Sequence, residues 1–159
     1  MNEKLQLFLL RANTRCYGSA AINQEKLSSG EKIITFAQDE FEFKDVYYGG
    51  EPYAGQEVIF AGGCVVWAMQ YRGRIEPGED FAPIYGFLGR VLTGTKIGLP
   101  RGVDGARENQ LSYNFKMDGD LDEFSARETI SRNGAVVYSA EFLGGLVDVR
   151  REEQDEIQK

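Results

Sequence analysis

The chain has 159 residues, is 42% hydrophobic and 12% aromatic, and carries a formal charge of −7. A chain of this length is expected to form one domain, burying roughly 68–70% of its unfolded surface without help from a metal or disulfide. The acidic balance argues against direct DNA or RNA binding, which needs a basic face, and the absence of histidine removes His-based acid/base catalysis, Ser-His and Cys-His pairs and histidine metal sites.

Residues 3–13 read as a helix, with Leu5, Phe8, Leu9 and Ala12 forming one apolar stripe and Arg11 beside it. Residues 5–10 are too short a run to span a membrane and poorly flanked for a secretion signal. Two cysteines, Cys16 and Cys64, with no CxxC, then predict free thiols in a reducing cytoplasm. Residues 18–32, with Ser28-Ser29-Gly30 as punctuation, read as a long surface loop.

Residues 32–38 and 41–49 alternate as a hairpin, Ile34 and Phe36 in one strand and Phe41 and Phe43 in the other. Residues 54–61 and 64–74 form the next, turned at Gly62-Gly63. A connector leads to a second helix over 82–93, with Pro83 in its first turn and Phe81, Ile84, Tyr85, Leu88 and Leu92 as its stripe. Residues 94–109 read as a second glycine-rich loop, 110–117 as a strand, 118–120 as a turn, and 127–132 with 135–143 as a last hairpin turned at Asn133-Gly134. The tail 151–159 is charged.

The chain also resembles itself. Shifted by 71 positions, Glu57 falls on Glu128, Ile59 on Ile130, Gly63 on Gly134, Val65-Val66 on Val136-Val137, Trp67 on Tyr138, Tyr71 on Phe142 and Gly73 on Gly144. The helices follow, Phe87-Leu88-Gly89-Arg90-Val91 matching Phe8-Leu9-Leu10-Arg11-Ala12. The expected fold is α+β: an antiparallel sheet of about seven strands with two helices, built as two pseudo-symmetric α-β-β-β repeats over 3–75 and 80–147 within a single domain, 1–150.

In the strand over 64–74, Val65, Trp67, Met69 and Tyr71 share one face and Val66, Ala68 and Gln70 the other. If the helices cover the small face, the aromatic face lines a concavity where Trp67, Tyr71 and Tyr138 stack on a planar ligand. If they cover the aromatic face, those residues are core. Glu57 and Glu128 read either as a carboxylate pair for acid/base work or as edge residues paired with Arg127, Arg72 or Arg132, the second being favoured. The run from Asp118 to Glu123 lacks the glycine and final glutamate of a calcium loop. Arg101, in Leu99-Pro100-Arg101-Gly102, is a candidate anion contact; a loop arginine is otherwise solvated. For Arg11 and Arg90 the alternative is a salt bridge to the sheet edge. Neither cysteine, Cys16 beside Arg15 included, lies in a sequence pattern that marks a thiolate nucleophile.

Phe8-Leu9-Leu10-Arg11-Ala12 with Tyr17-Gly18, Tyr48-Gly49-Gly50, Tyr53-Ala54-Gly55-Gln56-Glu57, Val66-Trp67-Ala68-Met69 and Leu99-Pro100-Arg101-Gly102 together resemble a bacterial domain-of-unknown-function family. That family occurs alone and C-terminal to XRE-type helix-turn-helix regulators. The resemblance implies a sensor or ligand-binding module and assigns no catalytic residues. This chain has no helix-turn-helix, has Gln70 and Arg72 where Asn and Tyr are expected, and lacks the histidine expected at Phe142-Leu143-Gly144.

The resulting expectation is a cytoplasmic module holding a small planar or anionic molecule, a nucleotide among the candidates, in a groove between the repeats. Trp67, Met69, Tyr71 and Tyr138 would wall the ligand, Arg11, Arg101 and Glu57 would orient it, and Tyr48 and Tyr53 belong to the same candidate site. No metal, cofactor or membrane is expected. The alternatives are an interaction protein, a homodimer included, using the sheet edge or aromatic face, and an enzyme using Glu57 and Glu128.

Overall fold

The computed structural model describes residues 1–18 and 24–148; the tail over 151–159, and part of the loop expected over 18–32, lie outside the described residues. Helix α1 runs from Glu3 to Gly18, its first turn capped by the Asn2 side chain, which accepts from the Leu5 amide at 2.9 Å. It outlasts the expected span because the buried stripe continues past Leu5, Phe8, Leu9 and Ala12 to Cys16. Helix α2, Phe81–Thr93, starts at Asp80, whose side chain accepts from the Ala82 amide.

The described residues form one antiparallel sheet of nine strands: β1 Gln24–Lys26, β2 Lys32–Gln38, β3 Phe41–Gly49, β4 Tyr53–Ala61, β5 Cys64–Ile75, β6 Gly105–Glu108, β7 Leu111–Asp120, β8 Glu123–Arg132 and β9 Ala135–Leu146. Their order is β1-β2-β3-β4-β5-β9-β8-β7-β6. The expected seven strands are all present. The two additions, β1 and β6, are short edge strands inside the stretches read as loops, pairing with β2 and β7. The hairpin turns at Gly62-Gly63 and Asn133-Gly134 have positive φ at both positions, 56° and 82°, 51° and 87°, as two-residue primed turns require. The turn expected at 118–120 lies slightly later, since β7 continues through Asp120 and β8 begins at Glu123.

At the centre of the sheet β5 pairs with β9: Trp67 stands opposite Leu146, Tyr71 opposite Phe142 and Ile75 opposite Tyr138. Both helices lie on the aromatic face. Leu5, Phe8 and Leu9 of α1 and Ile84, Phe87 and Leu88 of α2 share one core cluster with Trp67, Met69 and Tyr138. The opposite face is polar along its centre, with Gln70, Arg72, Arg74 and Glu141 exposed. The arrangement therefore selects the core reading of the aromatic stripe.

Candidate functional site

Strand parity explains the unusual feature of this core. Phe41, Phe43, Asp45 and Tyr47 point the same way along β3, as do Glu57 and Ile59 along β4 and Ala126, Glu128 and Ile130 along β8. The alternation thus carries three carboxyl side chains beneath the helices. Asp45 is 1% exposed, Glu57 and Glu128 0%, and the single buried cation among them, Arg101, 5%. Charges so deep must be paired or protonated.

The first cluster is built on Tyr17, at the end of α1. Its hydroxyl lies 2.7 Å from Asp45 Oδ2 and 2.8 Å from Glu57 Oε1, while Tyr71 donates to Asp45 Oδ1 at 2.6 Å. Burial, then the nearby carboxylates, hold the Tyr17 phenol protonated. It has one proton for two carboxyls, so one carboxyl must supply the other bond. Burial and then the charge of Asp45 push Glu57 up to about 8, making it the protonated partner near neutral pH. The chain of donors then runs Glu57 to Tyr17 to Asp45. Asp45 is itself raised by burial, against the pull of Tyr71 and Tyr17. Glu57 Oε2 has no hydrogen-bond partner.

The second cluster centres on Glu128, which accepts from Tyr113 and Tyr138, both at 2.7 Å. Tyr138 spends its only proton there, so the 2.5 Å contact with Tyr53 is donated by Tyr53. Arg101 Nε lies 3.4 Å from Glu128 Oε2. Burial works against the guanidinium's charge, but the anions around it, Glu128 foremost, outweigh that and keep it protonated. The guanidinium lies over the rings of Phe142 at 5.2 Å and Tyr17 at 5.6 Å. Its position is set by neighbours in the loop. Asn13 Nδ2 donates to the Pro100 carbonyl at 2.8 Å, Thr95 Oγ1 accepts from the Gly102 amide at 3.0 Å, and Gly102 has φ 72° under the Tyr113 hydroxyl, where a methyl would collide.

A cavity of about 470 Å³ opens between the helices and the sheet beside these clusters, within the range of roughly 300–1,000 Å³ usual for ligand sites. Its inner wall holds Tyr17, Asp45, Tyr71 and Arg101; Leu88 and Leu92 of α2 and Ile34 of β2 supply apolar surface; Gln24, Lys32, Tyr47 and Tyr85 stand nearer the mouth. Two cross-strand glycines leave room for its rings. Tyr71 lies over Gly55 and Tyr53 over Gly73, and a methyl on either glycine would collide with the facing ring. A larger hollow of about 660 Å³, lined by Thr35, Phe36, Glu42 and Lys44 among others, contains no buried polar side chain.

The structure brings together five of the sequence candidates. Tyr53, Tyr71 and Arg101 line the cavity, and Glu57 and Tyr138 lie one hydrogen bond behind it. Trp67 and Met69, both 0% exposed, are core: Trp67 donates to the Leu121 carbonyl and stacks on Phe124. Arg11 is exposed on α1, and Tyr48 is half exposed, donating to Glu31. Arg90 makes the expected edge salt bridge, to Glu108 on β6 through two bonds. The edge-pairing expectation for Glu57 and Glu128 is overturned, because strand parity turns both inward to tyrosines. Cys16, its thiol pushed up to about 12 by burial and then by Glu57 and Asp45, offers no thiolate. Asp45, Tyr17, Tyr47 and Tyr85 were missed, although the run Phe41, Phe43, Asp45, Tyr47 places an acid on an inward face. Among the described residues no Cys, Asp and Glu cluster is placed to hold a metal, and no helix is long and apolar enough to cross a membrane.

A family model for a domain of unknown function, DUF5680, matches residues 45–147, and the chain belongs to that family. The matched stretch begins at Asp45 and contains Glu57, Tyr71, Arg101, Glu128 and Tyr138. No curated protein and no solved structure matches the chain.

Proposed function

We propose that this DUF5680 domain is a small-molecule-binding module, for sensing or sequestration, that holds a ligand with an anionic group in the cavity beside Arg101. The carrying observation is Arg101 itself. It is 5% exposed in the cavity wall, and its Nε, 3.4 Å from Glu128 Oε2, has no hydrogen-bond partner. A buried guanidinium held by a single long ion-pair contact is costly, and a ligand carboxylate or phosphate supplies a matching acceptor pair. The tyrosines around it offer faces and edges to a planar body.

The site lies where two repeats meet on this reading. The shift of 71 that sends Glu57 to Glu128 also sends Tyr71 to Phe142, its own partner across β5 and β9. The same shift exchanges the pairs Trp67–Leu146 and Ile75–Tyr138. Tyr17, Asp45 and Tyr71 come from the first half, and Tyr85, Leu88 and Arg101 from the second. The alternative of a protein-interaction module has less support. The aromatic face is buried under the helices, and both edge strands, of three and four residues, are short, as edges that avoid pairing are.

Native mass spectrometry of the protein as purified, followed by denaturing ionisation, tests the proposal. A small-molecule mass that denaturation releases and that an Arg101→Gln variant lacks is expected. An apo spectrum, with no thermal shift across a panel of aromatic carboxylates and nucleotides, refutes it.

A further inference from the structure

Two opposite charges share the inner wall of the cavity without neutralising each other. Asp45 lies at one end of Tyr17, 2.7 Å from its hydroxyl, while the Arg101 guanidinium lies over the ring of the same residue. The pair makes no direct salt bridge; the ion-pair partner of Arg101 is Glu128. The guanidinium lies over the rings of Tyr17 and Phe142 with Nε toward Glu128, and it lines the cavity, where its terminal N–H groups are the donors for a ligand. Asp45, bonded by Tyr17 and Tyr71, retains unused lone pairs.

Neither a simple anion nor a simple cation suits this wall. An anion on Arg101 faces the Asp45 carboxylate, with Glu128 behind. A cation on Asp45 faces Arg101, and Lys32 near the mouth. Lys32 is held there by the Gly49 carbonyl and the Tyr47 ring. A molecule carrying both charges meets an opposite charge at each end. Resting on the binding site proposed above, we infer that the cavity takes a zwitterion of amino-acid type. Its carboxylate lies on Arg101, its protonated amine on Asp45, and its aromatic or apolar side group against Ile34, Leu88 and Leu92.

The test is isothermal titration of the full chain at pH 7 with two matched triplets. One is phenylalanine, phenethylamine and 3-phenylpropionate; the other is leucine, 3-methylbutylamine and 4-methylpentanoate. At least one amino acid binds ten-fold or more tighter than both single-charge analogues, and Asp45→Asn removes its advantage over the acid, weakening the amino acid while the acid, no longer facing a carboxylate, binds more tightly. If the acid binds as tightly as the amino acid, the zwitterion inference falls and the anionic site stands. If an amine binds as tightly, or tighter, the inference falls and Arg101 is not the anchor. If none of the six binds, the zwitterion inference is overturned, and the mass spectrum then decides the anionic site separately.

Discussion

Glu57 lets the buried network be tested through stability alone. Burial, and then the charge of Asp45, raise its carboxyl from 4.5 to about 8. Between those values the folded chain holds a proton that the unfolded chain has lost, so unfolding free energy falls as pH rises. The contribution is fully present below the unfolded value and gone above the folded one. Each pH unit is worth about 1.4 kcal/mol, so the whole interval amounts to at most about 5 kcal/mol. Asp45, raised mainly by burial, slopes the same way, but it is present in any Glu57 variant and largely cancels in a comparison.

Glu57→Gln keeps the shape, cannot ionise, and offers Tyr17 an amide donor where the protonated acid offers its hydroxyl. Urea unfolding at half-unit steps from pH 5 to 9 gives the two curves. The variant's stability is expected to rise relative to the parent with pH, the gap widening by about 3–5 kcal/mol between the ends. Curves that run parallel to within about 1 kcal/mol would mean that Glu57 is already ionised near neutrality, and the donor order Glu57 to Tyr17 to Asp45 would be wrong.

Three further outcomes check the placement of single residues. Trp67→Ala should cost about 3–5 kcal/mol by chemical denaturation, as a cavity in a packed core does; a loss under about 1 kcal/mol would remove Trp67 from the core. Gly73→Ala sets a methyl against the Tyr53 ring and should cost about 1–3 kcal/mol, whereas an unchanged midpoint would show that Tyr53 does not lie over β5. In a thiol-reagent titration Cys64, exposed, reacts in the native protein and Cys16, buried with its thiol near 12, reacts only after denaturation; two fast thiols in the native state would contradict the burial of α1.

The elements legible in the sequence were those with a strong local signal. The helical stripes, the alternation in β2 to β5, and the Gly62-Gly63 and Asn133-Gly134 turns each depend on neighbours within a few residues. β1 and β6 carry no such signal. Gln24-Glu25-Lys26 and Gly105-Ala106-Arg107-Glu108 are polar and short, and they are strands because β2 and β7 present open backbone edges to them. Which face the helices cover was equally invisible, since an aromatic row and a small-residue row both pack against helices. That single choice moved Trp67 and Met69 into the core. It also brought Asp45, on the same face as Phe41 and Phe43, into the site. Arg101 was legible as a residue type but not as buried, because its burial depends on Asn13 reaching Pro100 from 87 positions away.

The polar content of this core is more than folding requires. A domain of this size is stable by only about 5–15 kcal/mol, so a loss of up to about 5 kcal/mol from Glu57 as the pH rises from 4.5 to about 8 is a large fraction of the whole. Replacing buried ionic groups by apolar side chains of similar volume is often neutral or stabilising, and Glu57 sits between Gly55 and Ile59 on a face where another aliphatic residue would pack. Glu57 Oε2 and Arg101 Nε remain without hydrogen-bond partners, although Arg101 Nε is ion-paired to Glu128 at 3.4 Å. Buried polar atoms left without hydrogen bonds belong where strain is tolerated for the sake of a site. Here they flank a tyrosine-lined cavity, with a shared proton on one side and an arginine edge on the other. The ligand proposed above would meet the arginine; Glu57 Oε2, one hydrogen bond behind the cavity wall, lies beyond its reach.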